Sequence, residues 1–247
     1  MCKDTLMKYS IFLVVLLIAG QAHSQISFGP EAGVNATSYF VSSASAGDRS
    51  PLMAGFRGGI KADFTLQEHF HVRAGALYAN SFYVPGANLI GGGHPEMYIH
   101  ALEAPIQFSY FFSGNKMASP FVGVGAFLSY IAGGRYYLPG GDMPPGMKYP
   151  DVTRKLNVGT TLSDDIKPLD GGISITAGLQ MKKGLCLSVL VQRGMENLQP
   201  IPAVNSAFKS FSLGLNVGWY FHCCPAQREK QKDDTPSGEK NWSNKLK

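Results

Sequence analysis

The sequence predicts an all-β protein, an eight-stranded antiparallel up-and-down transmembrane β-barrel. Three observations lead there. Segments with a two-residue hydrophobic period recur eight times between turn signals. No convincing helical period stands between residues 25 and 221. The connections alternate between short and long, as they do in a barrel assembled from hairpins.

Side chains alternate across a strand, so each segment has two faces. In the first, ISFGPEAGVNA, Ile26, Phe28, Pro30, Ala32 and Val34 oppose Ser27, Gly29, Glu31, Gly33 and Asn35. The second, FRGGIKADFTL, sets Phe56, Ile60, Ala62, Phe64 and Leu66 against Arg57, Gly59, Lys61, Asp63 and Thr65. FHVRAGALY sets Phe70, Val72, Ala74, Ala76 and Tyr78 against His71, Arg73, Gly75 and Leu77. ALEAPIQFSYF sets Leu102, Ala104, Ile106, Phe108 and Tyr110 against Glu103, Pro105, Gln107 and Ser109. FVGVGAFLSY follows with Val122, Val124, Ala126, Leu128 and Tyr130 against Gly123, Gly125, Phe127 and Ser129. GISITAGLQM opposes Ile173, Ile175, Ala177, Leu179 and Met181 to Ser174, Thr176, Gly178 and Gln180. In LCLSVLVQ, Leu185, Leu187, Val189 and Val191 face away from Cys186, Ser188, Leu190 and Gln192. The eighth, FSLGLNVGWYF, places Phe211, Leu213, Leu215, Val217, Trp219 and Phe221 opposite Ser212, Gly214, Asn216, Gly218 and Tyr220.

Tight turns are predicted at Gln67-Glu68-His69, Gly114-Asn115-Lys116 and Lys182-Lys183-Gly184, and longer loops near residues 37–54, 80–97, 134–169 and 194–207. An eight-stranded barrel is only wide enough inside for side chains to fill it. The apolar faces are too bulky for that space, whereas the Gly, Ser, Asn and Gln faces fit. The apolar faces therefore point outward. In water they would form an aggregation surface, but in a bilayer they are required. Aromatics gather toward the strand ends as two interfacial girdles. Phe111, Phe112, Trp219 and Phe221 are assigned to the short-turn rim, and Tyr78, Phe82, Tyr83, Tyr130, Tyr136 and Tyr137 to the long-loop rim. The soluble rival, a ligand-binding calyx with its apolar side inward, fails the volume argument.

The ends of the chain differ from its middle. Lys3 and Lys8 precede the apolar run IFLVVLLIAG, and Ala22-His23-Ser24 closes it, so residues 1–24 are expected to be a cleaved secretory signal. Ten apolar residues are too few for a spanning helix. Removal of Lys3, Lys8 and Asp4 takes the formal charge from +5 to +4, and no basic stripe appears, so nucleic acid is not an expected partner. Residues 25–221 form the barrel domain. Residues 222–247 are polar and expected to be a disordered tail. Cys186, Cys223 and Cys224 remain after cleavage, too few for a disulfide framework. A Cys186 disulfide to either of the others is disfavoured, because level pairing puts Cys186 nearest Gly218.

Glu31, Arg57, Lys61, Asp63, Arg73 and Glu103 face the lumen by parity, with Asn35, Gln107, Gln180, Gln192 and Asn216 around them. Both signs of charge in a narrow lumen predict a paired, hydrogen-bonded plug. The rival is a narrow porin-like path for small solutes. An enzyme acting on envelope lipid is the third class, but His100 and Glu103 face opposite sides of their strand. His69 and His71 lack a third metal ligand, His222-Cys223-Cys224 is a weak ligand cluster, and no nucleophile elbow is present. No catalytic residue, cofactor or metal site is expected.

GPEAGVN, GFRGGIKADFTL, LEAPIQFSYFF with its mid-strand Pro105, PFVGVGAFLSY and the aromatic ending GWYF together resemble the PorT-type, or porin-family, outer-membrane β-barrel proteins. The resemblance covers Ile26 to Phe221. It implies the architecture and a place in the Gram-negative outer membrane, with long loops extracellular and the tail periplasmic. It implies no activity. Two departures stand out: Gly75 occupies a lumen position where the family suggests a carboxylate, and the chain runs 26 residues (247 minus 221) past Phe221. The expected partners are outer-membrane lipid, the barrel-insertion machinery and an unidentified extracellular ligand of the loops.

Overall fold

Strict alternation makes a sheet with one apolar and one polar face, and this sheet closes on itself. The computed structural model describes residues 26–42, 47–83, 96–112, 118–143, 147–200 and 207–222. Its strands are β1 (Ile26–Ser42), β2 (Gly47–Arg49), β3 (Met53–Thr65), β4 (Phe70–Tyr83), β5 (Glu96–Phe111), β6 (Ala118–Leu138), β7 (Gly141–Met143), β8 (Met147–Tyr149), β9 (Val152–Lys155), β10 (Leu169–Met181), β11 (Leu185–Gly194), β12 (Ala207–Trp219) and β13 (Phe221–His222). Eight of them are staves, running β1-β3-β4-β5-β6-β10-β11-β12, each antiparallel to the next, and β12 returns to β1. The signal segment, the Gly114-Asn115-Lys116 turn, Cys223, Cys224 and the tail beyond His222 lie outside the described residues.

The orientation of the faces is decided by neighbouring residues. Phe108 is 62% exposed and Leu215 59%, while Gln107 and Asn216, one residue away on the same strands, are 2% and 3% exposed. The apolar face is outward at every stave. Closure also explains Pro105. A proline has no N–H for a ladder and usually sits on a sheet edge. A closed barrel has no edge, so the β4–β5 ladder skips instead, passing from Ala74↔Ile106 to Leu77↔Glu103.

The staves outrun the patterned segments at the long-loop rim. β6 reaches 21 residues, because its pairing with β5 continues past a bulge as far as Tyr137. Much of the predicted loop at 134–169 is therefore strand: the end of β6, the β7–β8 hairpin, and β9 laid against β6. β2 likewise pairs back on β1 inside the predicted 37–54 loop. The sequence pattern stopped where one face ceased to be purely apolar, but backbone pairing continued.

Ile175 lies midway along β10 and is outward and exposed. Ile175→Arg is expected to lower folding stability in lipid vesicles by about 2–4 kcal/mol, the cost of a cation at the bilayer midplane. Urea titration of the heat-modifiable gel band measures it, with Ile175→Leu as the near-neutral control.

Candidate functional site

Among the described residues, buried polar and charged side chains concentrate in the lumen, which is filled in layers. Nearest the short-turn rim, Phe111, Phe121, Cys186 and Tyr220 form a buried cluster. The Arg73 guanidinium lies 4.1 Å over the Phe121 ring and 5.0 Å from that of Phe111. Its Nε donates to Asp63 Oδ2 at 2.9 Å, its Nη2 donates to Gln180 Oε1, and its Nη1 lies 3.9 Å from Cys186 Sγ. His71 Nδ1 is 2.7 Å from the other Asp63 oxygen. Asp63 and Arg73 are direct cross-strand partners, the arrangement in which opposite charges support a sheet.

One step farther in, Lys61 Nζ meets Glu31 Oε1 at 2.7 Å. This pairing accounts for Gly75. A Cβ at Gly75 would stand 2.7 Å from Lys61 Cγ, so the position must be empty for the lysine stem to lie across it. The carboxylate missing from that strand is supplied by Glu31.

At mid-height the contacts reach beyond adjacent strands. Arg57 on β3 donates from Nη2 to Glu103 Oε2 on β5 at 2.7 Å and from Nη1 to Gln192 Oε1 on β11 at 3.0 Å. Gln107 on β5 crosses β6 to donate to Thr176 Oγ1 at 2.8 Å and Ser174 Oγ at 3.2 Å on β10. All seven predicted lumen residues, Glu31, Arg57, Lys61, Asp63, Arg73, Glu103 and Gln107, thus face inward, in four separately bonded groups stacked along the lumen. Asn216 is buried there too, with neither of its amide atoms bonded among the described residues.

Above this stack is a small polar cavity lined by Asn35, Thr37, Ser129, Asp170, Ser210 and Ser212, among others. Its volume is about 50 Å³, room for a few waters. Asp170 was not read from the sequence, although continuing the inward parity of Ser174 and Gly172 would have found it. Ser210 Oγ donates to its Oδ2 at 2.5 Å.

The long-loop mouth is closed by an apolar cap that sequence reading also missed. Tyr39, Tyr83, Met97, Ile99, Ile131 and Phe208 from the extended staves pack with Leu156, Ile166 and Leu198. Tyr39 stacks on Phe208 with centroids 4.9 Å apart. The segments bringing the three aliphatics are tied across the mouth by backbone bonds, Lys167 N to Leu198 O at 2.9 Å and Leu198 N to Phe208 O at 2.9 Å.

The aromatics assigned to the girdles divide between outward and inward positions. Tyr78, Tyr130, Trp219 and Phe221 are outward and exposed, and Tyr78 is hydrogen-bonded to His100 at 2.6 Å. Phe111 is a correction. It is 7% exposed because it shares the inward parity of Gln107 and Ser109, and Tyr110 and Phe112 take the outward positions. Tyr83 is likewise in the cap, and Tyr136 packs against it.

Outside the barrel wall, Arg154 clamps Asp165 with two bonds of 2.6 and 2.7 Å. The guanidinium holds the Asp165 carboxyl below the usual carboxylate range. Among the described residues, no cluster of three or more His, Cys, Asp or Glu side chains is placed to hold a metal.

The family follows from comparison with known proteins. Residues 19–200 match the family model of the outer membrane protein beta-barrel domain, and the chain belongs to that family. It is thus an outer-membrane barrel of Gram-negative type. No curated protein matches it. Similar solved structures include OprG of Pseudomonas aeruginosa, at 12% identity over 82% of this chain and 99% of that one, with a TM-score of 0.43. Neisserial surface protein A gives 13% identity, 78% and 97% coverage and a TM-score of 0.38. Ail, the attachment invasion locus protein of Yersinia pestis, gives 12%, 80%, 99% and 0.36. Such values carry no argument about ligand or activity.

Breaking one partner of the lumen stack leaves a buried charge. Asp63→Ala is expected to cost about 3–5 kcal/mol of folding stability. Arg57→Met should cost more than the double variant Arg57→Met/Glu103→Leu, which removes both charges. Urea unfolding of the gel-shift band separates these. The Asp165 carboxyl has a depressed folded value, so its contribution is full above the unfolded value of about 4 and is lost as pH falls through the lower, folded one. Hydrogen exchange at Asn157, whose N–H bonds Asp165 Oδ2 at 2.9 Å, should therefore accelerate only below about pH 4. In Arg154→Gln that loss should move to higher pH.

Proposed function

We propose that this is a sealed, non-enzymatic barrel of the PorT type that presents its long-loop rim at the cell surface for binding and passes no solute through its lumen. The observation supporting this reading is the layered fill. An aromatic and guanidinium layer, a stack of paired charges and an apolar cap occupy the lumen in turn, and the described cavity between the last two has room for a few waters. Short turns at one rim and long connections at the other favour an extracellular long-loop face and a periplasmic tail. A cleaved signal at residues 1–24 and recognition of the aromatic strand end by the barrel-insertion machinery belong to the same reading. Catalysis is not part of it. His71 is engaged by Asp63, and His100 points to the outer face while Glu103 points to the lumen.

Liposomes carrying the mature protein are expected to leak ions and glucose no faster than protein-free liposomes. Flux that grows with protein and changes in Arg57→Met would replace the seal with the narrow-channel reading. Epitope tags inserted within residues 144–146 should be reached by antibody on intact cells, and tags after Lys247 only in permeabilised ones.

A further inference from the structure

The outward face of the long-loop end carries a charge arrangement that the barrel does not use for itself. β9 lies against the end of β6 in a register that puts Lys155 directly opposite Arg135. On its other side Arg135 faces Tyr98 of β5, and Tyr98 faces Phe82 of β4. The four residues make one outward row, with the Phe82 and Tyr98 rings edge to face at 4.7 Å. Both cations are exposed. Like charges directly opposite on paired strands repel and destabilise the pair. Neither side chain has an ion-pair partner among the described residues, whereas the adjacent Arg154 is clamped by Asp165.

Two nearby carboxylates bond hydroxyls and not these cations. Glu96 Oε2 accepts from Tyr98 Oη at 2.6 Å, and Asp164 Oδ2 accepts from Thr161 Oγ1 at 2.6 Å. Among the described residues, no carboxylate forms an ion pair with Arg135 or Lys155, which stand opposite each other.

The row's height gives it a partner. Tyr78, His100 and Tyr130 face outward at this end, where the sequence predicts a girdle, and Tyr98 lies two residues beyond His100 on the same strand and face. Arg135 follows the β6 bulge, where Gly133 has φ of 148°. This is the level of lipid headgroups, just past the apolar band. Beside it a polar crevice is lined by Tyr130, Gly133, Lys155, Asn157, Ser163 and Asp164, space for the sugar portion of a headgroup.

We propose that Arg135 and Lys155 together hold a phosphate of a phosphorylated glycolipid in the outer leaflet. A phosphate between the two cations turns a repulsive cross-strand pair into a bridged one, and the aromatics Phe82 and Tyr98 flank it at the interface. The leaflet assignment rests on the orientation proposed above, but the selectivity for phosphate does not.

The test uses the full mature chain in detergent micelles. Its probes are diphosphorylated lipid A, the same glycolipid with both phosphates removed, and inorganic phosphate. Retained lipid is counted by native mass spectrometry, and thermal unfolding is followed by the gel shift. Lipid A affinity is expected to fall about fivefold in Arg135→Gln and again in Lys155→Gln, the worth of one cation near an anionic surface. The dephosphorylated lipid should not distinguish the variants from wild type. In lipid-free micelles either single variant should unfold at a higher temperature than wild type, because the like-charge contact is relieved. Variants that bind lipid A as wild type does, or equal binding of the dephosphorylated lipid, would overturn the site. Inorganic phosphate stabilising the protein as fully as lipid A would overturn the lipid assignment. Because these readouts need no intact cell, they can fail while the tag experiment on orientation succeeds, and the reverse.

Discussion

Hydrocarbon offers no partner to a backbone amide, a carbonyl or a charge, and the rest of this structure depends on that constraint. A sheet can meet it only by closing, so the strand order runs in a full circle from β1 round to β12 and back. Closing with eight staves makes the interior narrow. The narrow interior then decides which face turns in. Small and polar side chains fit there, and the bulky apolar ones are left to the lipid. Even Pro105, an awkward residue for a sheet, is accommodated by a local gap and not by an edge.

Charges that enter such a lumen must find each other, and here they do so across strands. Asp63 with Arg73 couples neighbouring strands. Arg57, by contrast, joins β3 to β5 and β11, and Gln107 joins β5 to β10. These are struts across the bore, made by donors that cannot be released without leaving a buried group unpaired. Above these struts the apolar cap packs at the long-loop end, on that same frame of staves. Arg135 and Lys155, without an ion-pair partner among the described residues, stand on the outer side of that frame.

Parity made much of this legible. A period of two puts each residue on one face without knowledge of the register, so the inward position of Glu31, Lys61 and Glu103 could be read directly. Which charge meets which could not, because that depends on stagger: Lys61 lies opposite Gly75 yet pairs with Glu31, a diagonal neighbour on another strand. Phe111 was misplaced by treating nearness to a rim as stronger than parity, and parity won. The cap was invisible for a different reason. Leu156, Ile166 and Leu198 sit in segments with no hydrophobic period, and their burial comes from where the chain is laid, across the barrel mouth. Asp170 was within reach of parity, but the strand was ended too early to include it.

The central claim is that the apolar face of every stave meets lipid and the polar face meets a sealed lumen. Single spin labels at successive positions from Phe211 to Phe221, in the protein reconstituted in bilayers, test it most directly. Oxygen accessibility is expected to peak at 213, 215, 217 and 219 and to fall at 214, 216 and 218, with a water-soluble nickel complex excluded from all of them. Peaks at the even positions would contradict the account by turning the barrel inside out. Free access of the nickel complex to the even positions would contradict the seal.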